Sequence, residues 1–167
     1  MSGVEEIRNL LYDPLPTGSG SWGMDNTHTT GKPGTFQFSN GQLVVAGAGD
    51  TNNSYVVRHL PDTPAGEYVF SLNARSGSNP TMPYNRLVQV MDTTWRQFGA
   101  IPASALNSRA VFRLSNPTQQ RVILTFQAPV NEARVAYERM LLCTVDDYAR
   151  LQQLGVNWFS GDTYTTG

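Results

Sequence analysis

Apolar and polar residues alternate with a period of two along most of the chain, the spacing of strands that bury one face. Thr35-Phe-Gln-Phe-Ser39 alternates cleanly, Asn40-Gly41 supplies a hairpin turn, and Gln42-Leu-Val-Val-Ala46 returns. Ser54 to Leu60 reads as the next strand, closed by Pro61 and Pro64. From Gly66 to Arg75, Tyr68, Phe70, Leu72 and Ala74 share one face, and Val69, Ser71, Asn73 and Arg75 the other. Arg86 to Met91, Trp95 to Phe98 and Arg134 to Leu142 are further strands, and Ile7 to Tyr12 opens the series. Arg109 to Leu114 and Arg121 to Phe126 are expected to pair across the Ser115-Asn-Pro-Thr turn.

One stretch has the period of a helix. Thr144 is placed as its N-cap with Asp147 three residues on, Tyr148, Leu151 and Leu154 lie near one stripe, and Gly155 stops it. About ten short strands with one terminal helix predict an all-β fold, an antiparallel β-sandwich of jelly-roll type with a short C-terminal helix. Residues 1–143 would form the sandwich, and 144–167 the helix and a docking segment.

Composition narrows what such a sandwich does. The chain has 167 residues, 40% of them hydrophobic and 15% charged, against a usual charged share of about 25%. Its net charge is −1, so no broad basic field exists to neutralise phosphates, and a nucleic-acid partner is not expected. Lys32 is the lone lysine among eleven arginines, a bias that reads as codon usage. A single cysteine, Cys143, rules out an intrachain disulfide and sits in an apolar run as a buried thiol. The N-terminal residues lack a signal peptide's basic and apolar regions, and no window approaches a membrane span, so synthesis in a cytoplasm without membrane contact is expected.

Catalytic chemistry finds little footing. His28 and His59 lack partners at zinc-ligand spacing, and His28 reads as an ordinary loop residue. Gly47-Ala-Gly-Asp50 leaves a strand rather than entering a helix, so it is a turn and not a phosphate loop. Most acidic residues fall in turns, and Glu138 beside Arg139 reads as a structural ion pair. An enzyme is therefore not expected. Nor is a cofactor, although Asp13, Asp25 and Asp50 leave a structural calcium open.

The aromatic and polar inventory outside the expected core says more. Trp22, Tyr84, Arg86, Trp95, Arg75 and Arg113 lie in loops or on the outward parity of strands, as do Arg58 and Gln127. Flat rings suit the C–H faces of sugars and guanidinium or amide groups suit their hydroxyls. These six are the glycan-binding candidates, with core packing of Trp22 and Trp95 an equal alternative. Trp158, Phe159 and Tyr164, next to Thr163, are too apolar for a free tail and are the candidates for docking on this chain or another subunit.

Asn9-Leu-Leu-Tyr-Asp-Pro14 through Trp22, Ser39-Asn-Gly-Gln-Leu-Val-Val-Ala46, Gly66-Glu-Tyr-Val-Phe-Ser71 and Ala136-Tyr-Glu-Arg-Met-Leu-Leu142 occur in an order that resembles a galactose-binding-like, carbohydrate-binding-module-like jelly roll. Glu138-Arg-Met-Leu-Leu-Cys-Thr-Val-Asp-Asp-Tyr148 with Gly155-Val-Asn-Trp-Phe-Ser-Gly-Asp162 resembles the end of such modules in minor tail proteins of bacteriophages infecting actinobacteria. Larger relatives continue into further domains, so the resemblance implies a small stand-alone virion subunit, assembled in the host cytoplasm. Its partners would be other virion proteins, copies of itself and host-surface glycan. A purely structural decoration of capsid or tail is the alternative, and a polysaccharide-acting enzyme the least favoured reading.

Overall fold

The computed structural model describes residues 4–11 and 22–166, which leaves Asp13 and most of the opening motif outside it. The alternating strands sort into two antiparallel five-stranded sheets. The front sheet runs in the order β2 (Trp22–Asp25), β5 (Tyr55–Thr63), β10 (Gln120–Gln127), β7 (Arg86–Asp92), β8 (Gln97–Pro102). The back sheet runs β3 (Thr35–Ser39), β4 (Gln42–Ala46), β11 (Arg134–Thr144), β6 (Gly66–Arg75), β9 (Ser108–Asn116). The fold is thus the expected all-β sandwich of jelly-roll type, with a short helix α1 (Val145–Gln153) after its last long strand. Thr144 caps that helix by accepting from Asp147 N at 3.2 Å. Leu151 is buried while Leu154, placed on the same stripe by spacing, is exposed at the helix end.

The core lies between the sheets. Leu43, Val45, Phe70, Leu72 and Leu142 face Val56, Val88, Val90, Leu124 and Phe126, each of these side chains worth about 1.5–3 kcal/mol when buried. Tyr137 crosses the core fully buried, and its hydroxyl meets the Gln127 carbonyl at 2.8 Å and the Leu87 carbonyl at 3.2 Å. Asn40 and Gly41, both at positive φ, turn β3 into β4 as the sequence predicts.

Several expectations need correction. Residues 109–114 and 121–126 do not pair: β9 joins β6 in the back sheet, whereas β10 lies between β5 and β7 in the front one. Alternation fixes which face of a strand is buried, not which strand is its neighbour. The opening strand is β1 (Glu6–Arg8), shorter than expected, because Asn9 then turns the chain onto β11. There the Asn9 side chain donates to the Met140 carbonyl at 2.9 Å and accepts from Leu142 N at 3.0 Å. Two four-residue-or-shorter strands were not anticipated, β2 and β12 (Thr163–Thr165), and β12 pairs with β1 in a separate ribbon.

The ribbon and α1 lie over the outer face of the back sheet. Leu141 and Cys143 point outward there and form a second apolar cluster with Ile7, Leu151 and Phe159. Burial, with the charge of Asp147 nearby, pushes the Cys143 thiol up to about 12, so it stays protonated and inert. No helix is long and apolar enough to cross a membrane among the described residues.

Candidate functional site

The outer face of the front sheet carries polar and aromatic side chains side by side. Tyr55, Val57 and Ile123 form a small apolar cluster there, separate from the core. Cross-strand register sets Thr125 beside Val57 and Gln89, and Gln127 beside Tyr55. Gln89 donates to Gln97 across the β7–β8 pair.

Trp95 stands in the turn between β7 and β8, not on a strand. Asp92 builds that turn: its Oδ1 accepts from Thr94 N (2.8 Å), Thr94 Oγ1 (2.6 Å) and Arg96 N (3.0 Å). Arg96 Nε reaches the other carboxylate oxygen at 3.2 Å. The bond to the Thr94 hydroxyl, opposed by desolvation and aided by the backbone amides and Arg96, holds the Asp92 carboxyl below its ordinary value. The turn holds Trp95 at φ 62° and leaves the residue 46% exposed. A left-handed backbone at a bulky residue is uncommon and costs about 1–3 kcal/mol. The indole centroid lies 6.4 Å from the Tyr55 ring and 6.3 Å from the His28 ring. A hollow of about 450 Å³ opens between Trp95 and β2, floored by Gly23 and Val57 and bordered by Asp25 and His59.

A second exposed aromatic stands before the other end of β7. Tyr84 is also left-handed, at φ 56°, and is 63% exposed. The Arg86 guanidinium sits 4.8 Å from its ring centroid. Arg86 is braced by Gln127 Oε1 and Asn53 Oδ1, each at 3.2 Å, and Gln127 in turn donates to the Ser54 carbonyl at 3.0 Å. Burial pulls the guanidinium's pKa down, against the opposing influence of Tyr84 and Tyr55. The Tyr55 hydroxyl, 3.3 Å from His28 Nδ1, is pushed up to about 12 by burial and by the charge of Asp25. It is a neutral hydrogen-bonding group at physiological pH. The face thus offers rings for C–H surfaces, with amide and guanidinium groups beside them for hydroxyls.

The structure divides the sequence-predicted residues. Tyr84, Arg86 and Trp95 share the front outer face. Arg75 and Arg113 are on the opposite, back outer face, because outward parity on β6 and β9 points away from the front sheet. Trp22 points into the sandwich, its ring 5.8 Å from Phe38 and 5.5 Å from Phe126. Arg58 is buried as well, its guanidinium 5.0 Å from the Trp22 ring, so its expected outward parity is wrong. Phe159 is buried against its own chain, with Tyr164 5.6 Å away, and Trp158 Nε1 donates to the Met140 carbonyl at 3.1 Å. Glu138 pairs with Arg75 and accepts from Gln42 at 2.9 Å, not with its neighbour Arg139. Asp25, at the end of β2, accepts from Thr27, and Asp50 Oδ1, beyond β4, accepts at 3.1 Å from Lys32 N in the loop before β3. No group of three or more potential ligands is gathered for a metal among the described residues. Tyr55, His28, Gln89 and Asn53 had no signal in the sequence, since only the tertiary arrangement of strands and loops brings them together.

No family model matches the sequence, and no curated protein matches it. Solved structures do share its fold. A CBM4 carbohydrate-binding module superposes with a TM-score of 0.55 at 10% identity, covering 83% of this chain and 94% of the module. CBM29_1, a family 29 carbohydrate-binding module from Piromyces equi, gives 0.51 at 13% identity, covering 91% and 97%. The enzymatically active domain of tailspike protein 4 from bacteriophage CBA120 gives 0.56 at 13% identity over 82% of this chain, which spans about a fifth (21%) of that one. At such identities the likeness is one of fold, a β-sandwich of the kind carbohydrate-binding modules have.

Proposed function

We propose that this chain is a bacteriophage virion protein of minor-tail type that holds host-surface glycan on the outer face of its front sheet, without turning it over. The observation that carries the reading is Trp95, kept exposed at a strained backbone by a turn built around Asp92. Tyr84 and Arg86 extend the same face. The carbohydrate-binding modules of like fold support glycan recognition, and the tailspike domain and the resemblance of the 138–162 segment to minor tail proteins support the virion setting. Other virion proteins and further copies of this chain would be its neighbours there.

Cell-wall and surface-polysaccharide preparations from candidate hosts provide the test, with the folded chain as bait. Retention is expected, and Trp95→Ala or Arg86→Ala should each lower affinity about 5–30-fold, the loss of one ring or guanidinium contact, with the folded state retained by circular dichroism. A clean null across wall preparations, with the chain found in purified virions, would leave a purely structural decoration. Polysaccharide turnover abolished by one Asp or Glu substitution would make it an enzyme and overturn the non-catalytic reading.

A further inference from the structure

The back sheet's outer face holds a cleft of about 600 Å³ between the β6–β9 edge and the segment following α1. Its size suits one or two sugar units. Three arginines line it, Arg75, Arg109 and Arg139, together with Asn73, Asn157 and Trp158, and no carboxylate is among the lining residues.

The charge balance of the cleft follows from who pairs with whom. Arg75 is engaged by Glu138 just outside the lining. Among the described residues Arg109 is held by uncharged acceptors, Asn157 Oδ1 at 2.9 Å and the Tyr148 hydroxyl at 2.7 Å, which orient its fork without cancelling its charge. Arg139 owes its place to a bulge in β11, where the register shifts between Glu138 and Leu141. Simple alternation would send residue 139 into the core. The bulge instead turns it outward beside Glu138, at φ 52°, a left-handed strain carried by an arginine. The bulge is fixed at the Met140 carbonyl, which accepts from Trp158 Nε1 in the cleft and from Asn9 Nδ2 of the opening segment.

The geometry points to a second binding site, independent of the front face, that takes an anionic saccharide unit: a polyhydroxylated group carrying a carboxylate or a phosphate. The guanidiniums of Arg109 and Arg139 receive the acid, the amides of Asn73 and Asn157 face the hydroxyls, and Trp158 supplies the apolar wall. Arginine is the side chain whose planar fork matches either anion.

The test is a titration of the full chain, followed by amide and indole NMR shifts and by calorimetry. The probes are a glucuronic-acid-containing disaccharide and a glycerol phosphate oligomer, with a glucose disaccharide, glycerol and a glutamate-rich peptide as comparisons. The two acidic probes distinguish a carboxylate from a phosphate source, and tight binding of either supports the site. Expected are shifts at Asn73, Asn157 and the Trp158 indole, affinity that falls with salt, and about tenfold or greater weakening by Arg109→Gln and by Arg139→Gly. The glycine variant relieves the positive φ, so it reports on the guanidinium rather than on folding. Trp95→Ala should leave this binding unchanged. Equal binding of neutral probes, indifference to both arginine variants, or loss in Trp95→Ala would overturn the proposal. So would a glutamate peptide binding as tightly as the acidic sugars, which would make the cleft a protein-docking surface.

Discussion

Asp25, Asp92 and Glu138 are carboxylates whose folded surroundings favour the charged form. At Asp25 and Glu138 desolvation works the other way but is outweighed: at Asp25 by Thr27, His28 and Tyr55, at Glu138 by Gln42, Arg75 and Arg139. At Asp92 the Thr94 hydroxyl dominates. All three titrate below their ordinary values of 3.8 for Asp and 4.5 for Glu. The sign follows: above those ordinary values neither state binds protons, and the stabilisation is fully present. As pH falls through them the unfolded chain takes up protons first, and stability is lost until the folded groups also protonate. Thermal midpoints should be flat above about pH 5 and decline below about pH 4, more shallowly in Asp92→Asn. A midpoint that rises on acidification would contradict this. At this scale the sequence was legible where parity and polarity agreed and illegible where they did not. β5 is apolar on both parities, so the charge of Arg58 suggested an outward position. In the fold its guanidinium instead lies over the Trp22 ring, inside.

Most strands and the helix were readable because apolar spacing, Asn-Gly turns and an N-cap act locally. The very short β2 and β12 were not, since three or four residues exist as strands only through their partners. Bulges escape a sequence reading for a related reason: the extra residue at Arg139 is set by what β6 and Trp158 offer, not by its own identity. Gly47 is an element-level constraint of the opposite kind. It follows β4, donates to the Ala133 carbonyl at 3.0 Å, and a Cβ there would lie 2.2 Å from the Pro129 carbonyl oxygen and 2.3 Å from that of Asn131. These are backbone atoms and cannot rotate away. Gly47→Ala should therefore destabilise by about 1–3 kcal/mol, read as a lower urea midpoint with an unchanged slope. A midpoint within error of the parent would show that the 129–131 loop moves freely.

Across the whole molecule, the two outer faces are different surfaces. The sequence offered one pool of candidate residues, and the sandwich deals Tyr84, Arg86 and Trp95 to one side and Arg75 and Arg113 to the other. That partition depends on which sheet each strand joins, information spread over long-range pairings that no local pattern encodes.

The β1–β12 ribbon has a mechanical consequence. Its register pairs Glu6 with Thr165, Ile7 with Tyr164 and Arg8 with Thr163, so residues outside the ribbon leave it side by side at one end. Tension applied through them opens the hydrogen bonds one after another, like a zipper, rather than loading them together in shear. In a single-molecule pulling experiment the ribbon should release first and at low force. The five-stranded sheets should then yield in a separate, stronger event, once the load reaches Asn9 and its bonds to β11. A single rupture with no early step would refute this order. The ribbon is a mechanical fuse set ahead of the sandwich.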